Sequence, residues 1–260
     1  MRLPDIVRIQ RILSATEIRK FDLLLHSHGG DYRVAYKVAT MISNHLAGDG
    51  HSTVFVPLYC LSAATLLAMV GHELVISEPG WLGPIDPQLQ IADIGVGSDQ
   101  KQSRRLSSHT LQHVLQTLGN YIDESSAGSA KSRLFADYLL RPLTEEIDPF
   151  LVVNSLEYEK TVYEYGVRIL ARKGVSASLA AKAIQYLMSR PTHDYVIDAR
   201  EISSSILNDV FTLVDPIHLP AEIPAAIETI FGEIMDWERT AEPEERAHPY
   251  MYSYDGRAVE

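Results

Sequence analysis

Apolar and polar positions change period several times in the first third of the chain, and each change marks an element. Phe21 to His26 (FDLLLH) is a short apolar run ending in His-Ser-His-Gly-Gly, which predicts a strand entering a glycine turn. From Asp31 the period becomes helical, with Ala35, Val38, Ala39, Ile42 and Leu46 on one stripe, and Gly48 and Asp49-Gly50 stop it. Thr53 to Pro57 (TVFVP) is β-branched and aromatic and predicts a second strand. Ser62 to Val70 predicts a short buried helix rich in Ala and Leu, and Leu74 to Ile76 a third strand. This alternation predicts an α/β fold with a mostly parallel sheet and right-handed crossovers.

Glu78 to Leu89 (EPGWLGPIDPQL) carries three prolines and two glycines and reads as an ordered turn region rather than a regular element. Asp93 to Arg105 is polar and contains glycine, the pattern of a surface loop. Helices follow, marked by Leu111 to Leu118, by Leu134 to Leu140, by Val162 to Leu170 before Gly174, and by Leu179 to Leu187 before Pro191. Asp198 to Glu201 has the spacing of a capping box, and Val210 to Val214 (VFTLV) predicts a further short strand. A last amphipathic helix spans Ile223 to Trp237, with Ile227, Ile230, Phe231 and Ile234 on its apolar stripe. The expected organisation is one α/β unit over 1–215, with a helical insertion at about 107–190. A C-terminal helix and acidic tail follow over 216–260.

Composition narrows the function classes. The chain has 260 residues, 46% of them apolar, which suits a globular protein and excludes a disordered or collagen-like one. Thirty-four acidic against 23 basic residues give a net charge of −11, which repels phosphate backbones, so nucleic acid is not an expected partner. Cys60 is the single cysteine, so no internal disulfide is available. The most apolar stretch, Leu61 to Val70, is half the ~20 residues a membrane span needs, and the N-terminus lacks the apolar run of a signal peptide. A cytoplasmic protein without a membrane span is the expectation.

Two segments carry candidate chemistry. His26-Ser27-His28-Gly29-Gly30 lies between a strand and a helix, at the sheet end where α/β proteins bind ligands. Backbone N–H groups exposed there can polarise a carbonyl. Tyr59-Cys60-Leu61-Ser62-Ala63-Ala64-Thr65 puts a serine at the positive end of a short helix made of small residues. On these residues alone, Ser62 is a nucleophile or a plain N-cap.

The succession LLLHSHGGD, VFVPLYCLSAATLLAMVGHELVIS and LGPIDPQL resembles the serine dehydrogenase proteinase family, as do the later RPLTEEIDPF and SRPTHDYVIDAREI. That family belongs to the Clp-peptidase/crotonase superfamily and is related to signal peptide peptidases of SppA type. The resemblance, over roughly Phe21 to Val214, implies a spiral α/β fold. It also implies Ser62 as nucleophile and an oxyanion hole from the N–H groups of Gly30 or Gly29 and of Ala63. Where the family carries Pro before Gly-Gly, this chain has His28; where it carries Ser-Gly-Gly-Thr, this chain has Ser62-Ala63-Ala64-Thr65. The superfamily's assemblies imply a homo-oligomer acting on peptides or unfolded proteins.

A serine needs a base, and several residues could supply it. Related enzymes use a histidine or a lysine. At the histidine's approximate position stands Asp86, able to orient a base or to close a turn. Lys101 and then Lys131 are the lysine candidates, His28 beside the glycine turn is another, and His193-Asp194 could act as a base with its carboxylate. Adjacent residues of an extended segment point to opposite faces, so His193 and Asp194 are not expected to bond each other. The pairs His26/His28 and His109/His113 lack a Cys or acidic partner at zinc-ligand spacing, and no nucleotide motif occurs, so no metal or cofactor is expected. Cys60 reads as a small buried hydrophobe. Besides a serine peptidase, the same fold can host a crotonase-like acyl-CoA hydratase or isomerase, or a scaffold that has lost its base.

Overall fold

A computed structural model describes residues 1–14, 20–46, 50–86, 88–91, 104–107, 113, 116–117, 119–120 and 149–240. Along these run helix α1 (Leu3–Ser14), strand β1 (Lys20–Leu24), α2 (Tyr32–His45), β2 (His51–Val56), β3 (Tyr59–Cys60) and α3 (Ala63–Ala68). Then come β4 (Glu73–Ile76), β5 (Trp81–Leu82), β6 (Gln88–Ile91), β7 (Arg104–Ser107), α4 (Pro149–Arg172) and α5 (Ala177–Met188). The order closes with α6 (Ala199–Ser203), β8 (Thr212–Leu213) and α7 (Glu222–Thr240).

The main sheet has the order β1-β2-β4-β8 and is parallel throughout. Its register pairs Leu23 with Val54, Val54 with Leu74, and Leu74 with Leu213. β2 and β4 are central, and their Val54, Val56, Leu74 and Ile76 are buried, as strands covered on both faces require. α2 returns the chain from β1 to β2 and buries Val34, Ala35, Val38, Ala39 and Ile42, the stripe expected from its period. Asp31 caps α2 by accepting a hydrogen bond from the Arg33 N–H. The α/β parallel architecture expected from the pattern is present.

A second, smaller set of strands crosses from this sheet to the site. Ser27 bridges Cys60 in parallel, β3 pairs with β5 in parallel, and Leu82 bridges Ile197 in antiparallel fashion. The segment Glu78–Leu89, expected to be turn alone, therefore contains the two-residue strand β5 and the start of β6. Neighbouring backbone donors and acceptors settle this, which prolines and glycines nearby do not reveal. Arg104 and Arg105, placed by pattern in a surface loop, belong to β7, which pairs antiparallel with β6. The helices expected near 111–118 and 134–140 fall mostly or wholly outside the described residues.

Farther along, α4 and α5 pack as a helical pair, with Val162, Ile169, Leu170, Ala180, Ala183, Ile184 and Leu187 buried. The expected strand at Val210–Val214 contracts to Thr212–Leu213 because Val210 and Phe211 finish a 3-10 turn. α1 was not anticipated from the pattern. No described helix is long and apolar enough to cross a membrane.

Candidate active site

The glycine turn and Ser62 meet at the carboxyl end of the first strands. A Cβ built on Gly29 would stand 2.6 Å from the Leu61 carbonyl oxygen, 3.0 Å from the Ser62 Cβ and 3.1 Å from the Ala63 nitrogen. Gly29 also has φ +104°, a conformation that L side chains rarely adopt, so both space and backbone call for glycine there. The two motifs that the sequence separates by some thirty positions are thus in van der Waals contact.

Ser62 is the one non-glycine among the described residues with positive φ, at +54° with ψ −119°. Such strain persists only where the surroundings enforce it. They do so here through flanking hydrogen bonds: the Leu61 N–H donates to the Ser27 carbonyl at 3.0 Å and the Ser62 N–H to the Pro84 carbonyl at 3.1 Å. Thr65, fully buried, donates its hydroxyl to the carbonyls of Cys60 and Gly83 at 2.6 and 2.8 Å and so pins α3 to the ends of β3 and β5. Ser62 sits at the N-cap position of α3, yet its side chain makes no capping hydrogen bond. The plain N-cap role that its position allowed is therefore not the one it plays.

The backbone N–H groups near this serine come from α3 and from the glycine turn. Ala63 opens α3, and first-turn N–H groups have no partner within their helix. The Gly29 N–H donates to the Ser27 hydroxyl at 3.1 Å, so it is already engaged. That leaves Gly30, with φ +132°, as the glycine of the turn whose N–H is not bound to Ser27. Met1 packs against this turn: its amine donates to the Gly29 carbonyl at 2.6 Å and its carbonyl accepts from the Asp31 N–H.

A second feature is a hydrogen-bonded pair of a half-buried histidine and a buried aspartate. His193 Nδ1 lies 2.7 Å from Asp86 Oδ1, with side chains 19% and 5% exposed. A carboxylate only accepts, so His193 donates from Nδ1 to Asp86. Asp86 follows Pro84 by two residues, and Pro84 is the residue whose carbonyl holds the Ser62 N–H. His193 is delivered by the segment between α5 and the Leu82–Ile197 bridge, and the Ile85 N–H donates to Leu187 at the end of α5. The partner of His193 is thus Asp86, while the adjacent Asp194 is exposed.

The other candidates fall elsewhere. His28 Nε2 lies 2.9 Å from the Tyr59 hydroxyl, and its ring lies tilted at 33° against that of Tyr59. Cys60 is buried, and that burial pushes its thiol well above the ordinary range. Lys101 and Lys131 lie outside the described residues. Among the described residues no group of three or more His, Cys, Asp or Glu side chains could hold a metal ion. The sequence singled out both Asp86 and His193 but not their pairing. It also passed over Tyr59 and Trp81, whose signal was an alternation of rings along short strands.

Residues 1–115 match the family described as ClpP-like SDH-type serine proteinase. Two uncharacterized proteins of Methanocaldococcus jannaschii are similar to the chain. One is 33% identical over 81 residues, 31% of this chain and 27% of that protein. The other is 30% identical over 88 residues, 34% of this chain and 29% of that protein. The chain thus spans less than a third of the length of these relatives. The family match takes in the glycine turn, Ser62 and Asp86 and ends before His193.

Proposed function

From the match of residues 1–115 to the ClpP-like SDH-type serine proteinase family, we propose that the protein hydrolyses peptide bonds with Ser62 as nucleophile, His193 as base and Asp86 as the group that orients it. The observation that carries this reading is the strained Ser62, which caps nothing and touches the glycine turn, together with an Asp86–His193 pair whose aspartate lies two residues from Pro84, the backbone partner of Ser62. Ser62 Oγ attacks the carbonyl carbon of a peptide bond while its proton passes to His193 Nε2. Asp86 stabilises the imidazolium that forms, without itself taking the proton. The N–H groups of Ala63 and Gly30 receive the negative charge that develops on the carbonyl oxygen. The carbon–nitrogen bond then breaks, His193 protonates the departing amine, and water, deprotonated by the same imidazole, releases the acyl group and restores the serine.

The substrate is a peptide or an unfolded protein. The protein acts as a homo-oligomer, supported by the apolar stripe of α7, where Ile227, Phe231 and Ile234 are only half-buried and Ile230 is exposed. Light scattering at micromolar concentration tests the assembly: a mass above that of one chain is expected, and a single-chain mass unchanged on concentration overturns it. Release of acid-soluble peptides from an unfolded protein tests the activity. The wild type is expected to release them and Ser62→Ala to release none, whereas equal release by both defeats the assignment.

A further inference from the structure

The ribbon that carries Ser62 buries one face and displays rings on the other. Pairing of Ser27 with Cys60 and of Cys60 with Leu82 puts these three on one side, where Cys60 and Leu82 are fully buried. Alternation then places His26, His28, Tyr59 and Trp81 together on the opposite side. Ring centroids bear this out: Tyr59 lies 4.0 Å from His26, 4.4 Å from His28 and 5.8 Å from Trp81. The hydrogen bond between the Tyr59 hydroxyl and His28 holds two of these rings in register. Phe231 of α7 closes one side, meeting His26 edge-on at 5.3 Å and 83°.

This face runs directly into the site. His28 precedes Gly29, and Tyr59 stands three positions before Ser62. A substrate carbonyl held at Ser62 would bring its neighbouring side chain over these rings. Phe231 shows that His26 takes a phenyl ring edge to face.

We propose that His26, His28, Tyr59 and Trp81 form the subsite for the side chain beside the scissile bond, and that it selects an aromatic residue, with Phe231 as its far wall. The proposal rests on Ser62 marking the reacting centre. An aromatic side chain gains ring–ring contact with Tyr59 and Trp81 beyond the area it buries, which a methyl group cannot.

Binding measured without chemistry tests it separately from the peptidase reading. The chain has two tryptophans, Trp81 and Trp237, so full-length Ser62→Ala/Trp237→Phe protein reports on Trp81 alone. Titration with acetyl-Ala-Ala-Phe-amide is expected to change Trp81 emission saturably, with Kd about tenfold below that of acetyl-Ala-Ala-Ala-amide. Tyr59→Ala and, on α7, Phe231→Ala are expected to raise the Kd of the Phe peptide by about threefold or more, and Tyr59→Phe, which keeps the ring and loses only the bond to His28, to raise it less than Tyr59→Ala does. Equal affinity for the two peptides, or no weakening in either alanine variant, overturns the subsite. A Ser62-dependent hydrolysis without aromatic preference overturns it too, while leaving the peptidase reading intact.

Discussion

Asp86 and His193 stand 107 positions apart in the chain and 2.7 Å apart in the fold. A buried Asp86 without a partner would be costly, and the half-buried His193 supplies that partner. The segments that carry them are joined by backbone bonds on either side, from Ile85 to Leu187 and between Leu82 and Ile197. The pair is therefore held by main chain rather than by side-chain packing alone, as a group that must keep one orientation through a reaction requires.

Replacing either partner separates this pair from the adjacent Asp194. His193→Asn is expected to lower kcat by roughly 10³-fold or more, and Asp86→Asn by ~10²–10⁴-fold through loss of the imidazole's orientation. Asp194→Asn, at an exposed side chain, is expected to keep wild-type kcat and KM. Steady-state kinetics on one peptide checks all three. An Asp194→Asn loss as large as that of Asp86→Asn contradicts the pairing's role.

Gly29 is expected to tolerate no side chain. With φ +104° and a Cβ position 2.6 Å from a backbone oxygen, Gly29→Ala should destabilise the protein by about 2–4 kcal/mol and abolish hydrolysis, because Ser62 and Ala63 must shift. Gly232 in α7 has nothing within 4 Å of its Cβ position, so Gly232→Ala should be neutral or slightly stabilising. Thermal unfolding of the two variants side by side decides it; equal melting temperatures contradict the close approach.

The fold also contains a buried lysine away from the site. Lys173 donates to the Gly71 carbonyl and lies 4.2 Å over the Phe211 ring, and burial pulls its pKa from 10.5 down to about 7. It shares this end of the sheet with His72, also lowered, by burial first and then by Lys173 and His51, and with Glu73 paired to His51. The folded state binds the Lys173 proton less tightly than the unfolded chain does. This group's contribution to stability therefore rises with pH from about 7 toward the ordinary lysine range, and its penalty is fully present below 7. Lys173→Met should raise stability at pH 6 and flatten the rise between pH 7 and 10 in denaturant titrations. Parallel pH curves for wild type and variant contradict it.

The sequence pattern made some of this visible and left the rest out of reach, for identifiable reasons. The α2 stripe from Ala35 to Ile42 is buried as its period requires, because helix amphipathicity is local and directly reports a core-facing side. The glycine turn and a serine opening a helix were legible for the same reason. β5 was not, since three prolines and two glycines surround two residues whose strand character comes from partners at Leu58, Cys60 and Ile197. Asp198 accepts from the Glu201 N–H as a capping box predicts, but the Glu201 carboxylate turns to Tyr186 and Arg190, a tertiary choice. The Asp86–His193 pair depends on docking α5 beside the ribbon, which no spacing along the chain encodes.

The central claim is that Ser62 is an activated nucleophile, and its covalent capture tests that most directly. Full-length protein is incubated with a fluorophosphonate, whose phosphorus forms a bond to an activated serine oxygen as fluoride departs, and the adduct is located by peptide mass spectrometry. One adduct per chain on Ser62 is predicted, forming about 10³-fold more slowly in His193→Asn. No adduct on Ser62, or one whose rate ignores His193, would contradict the account.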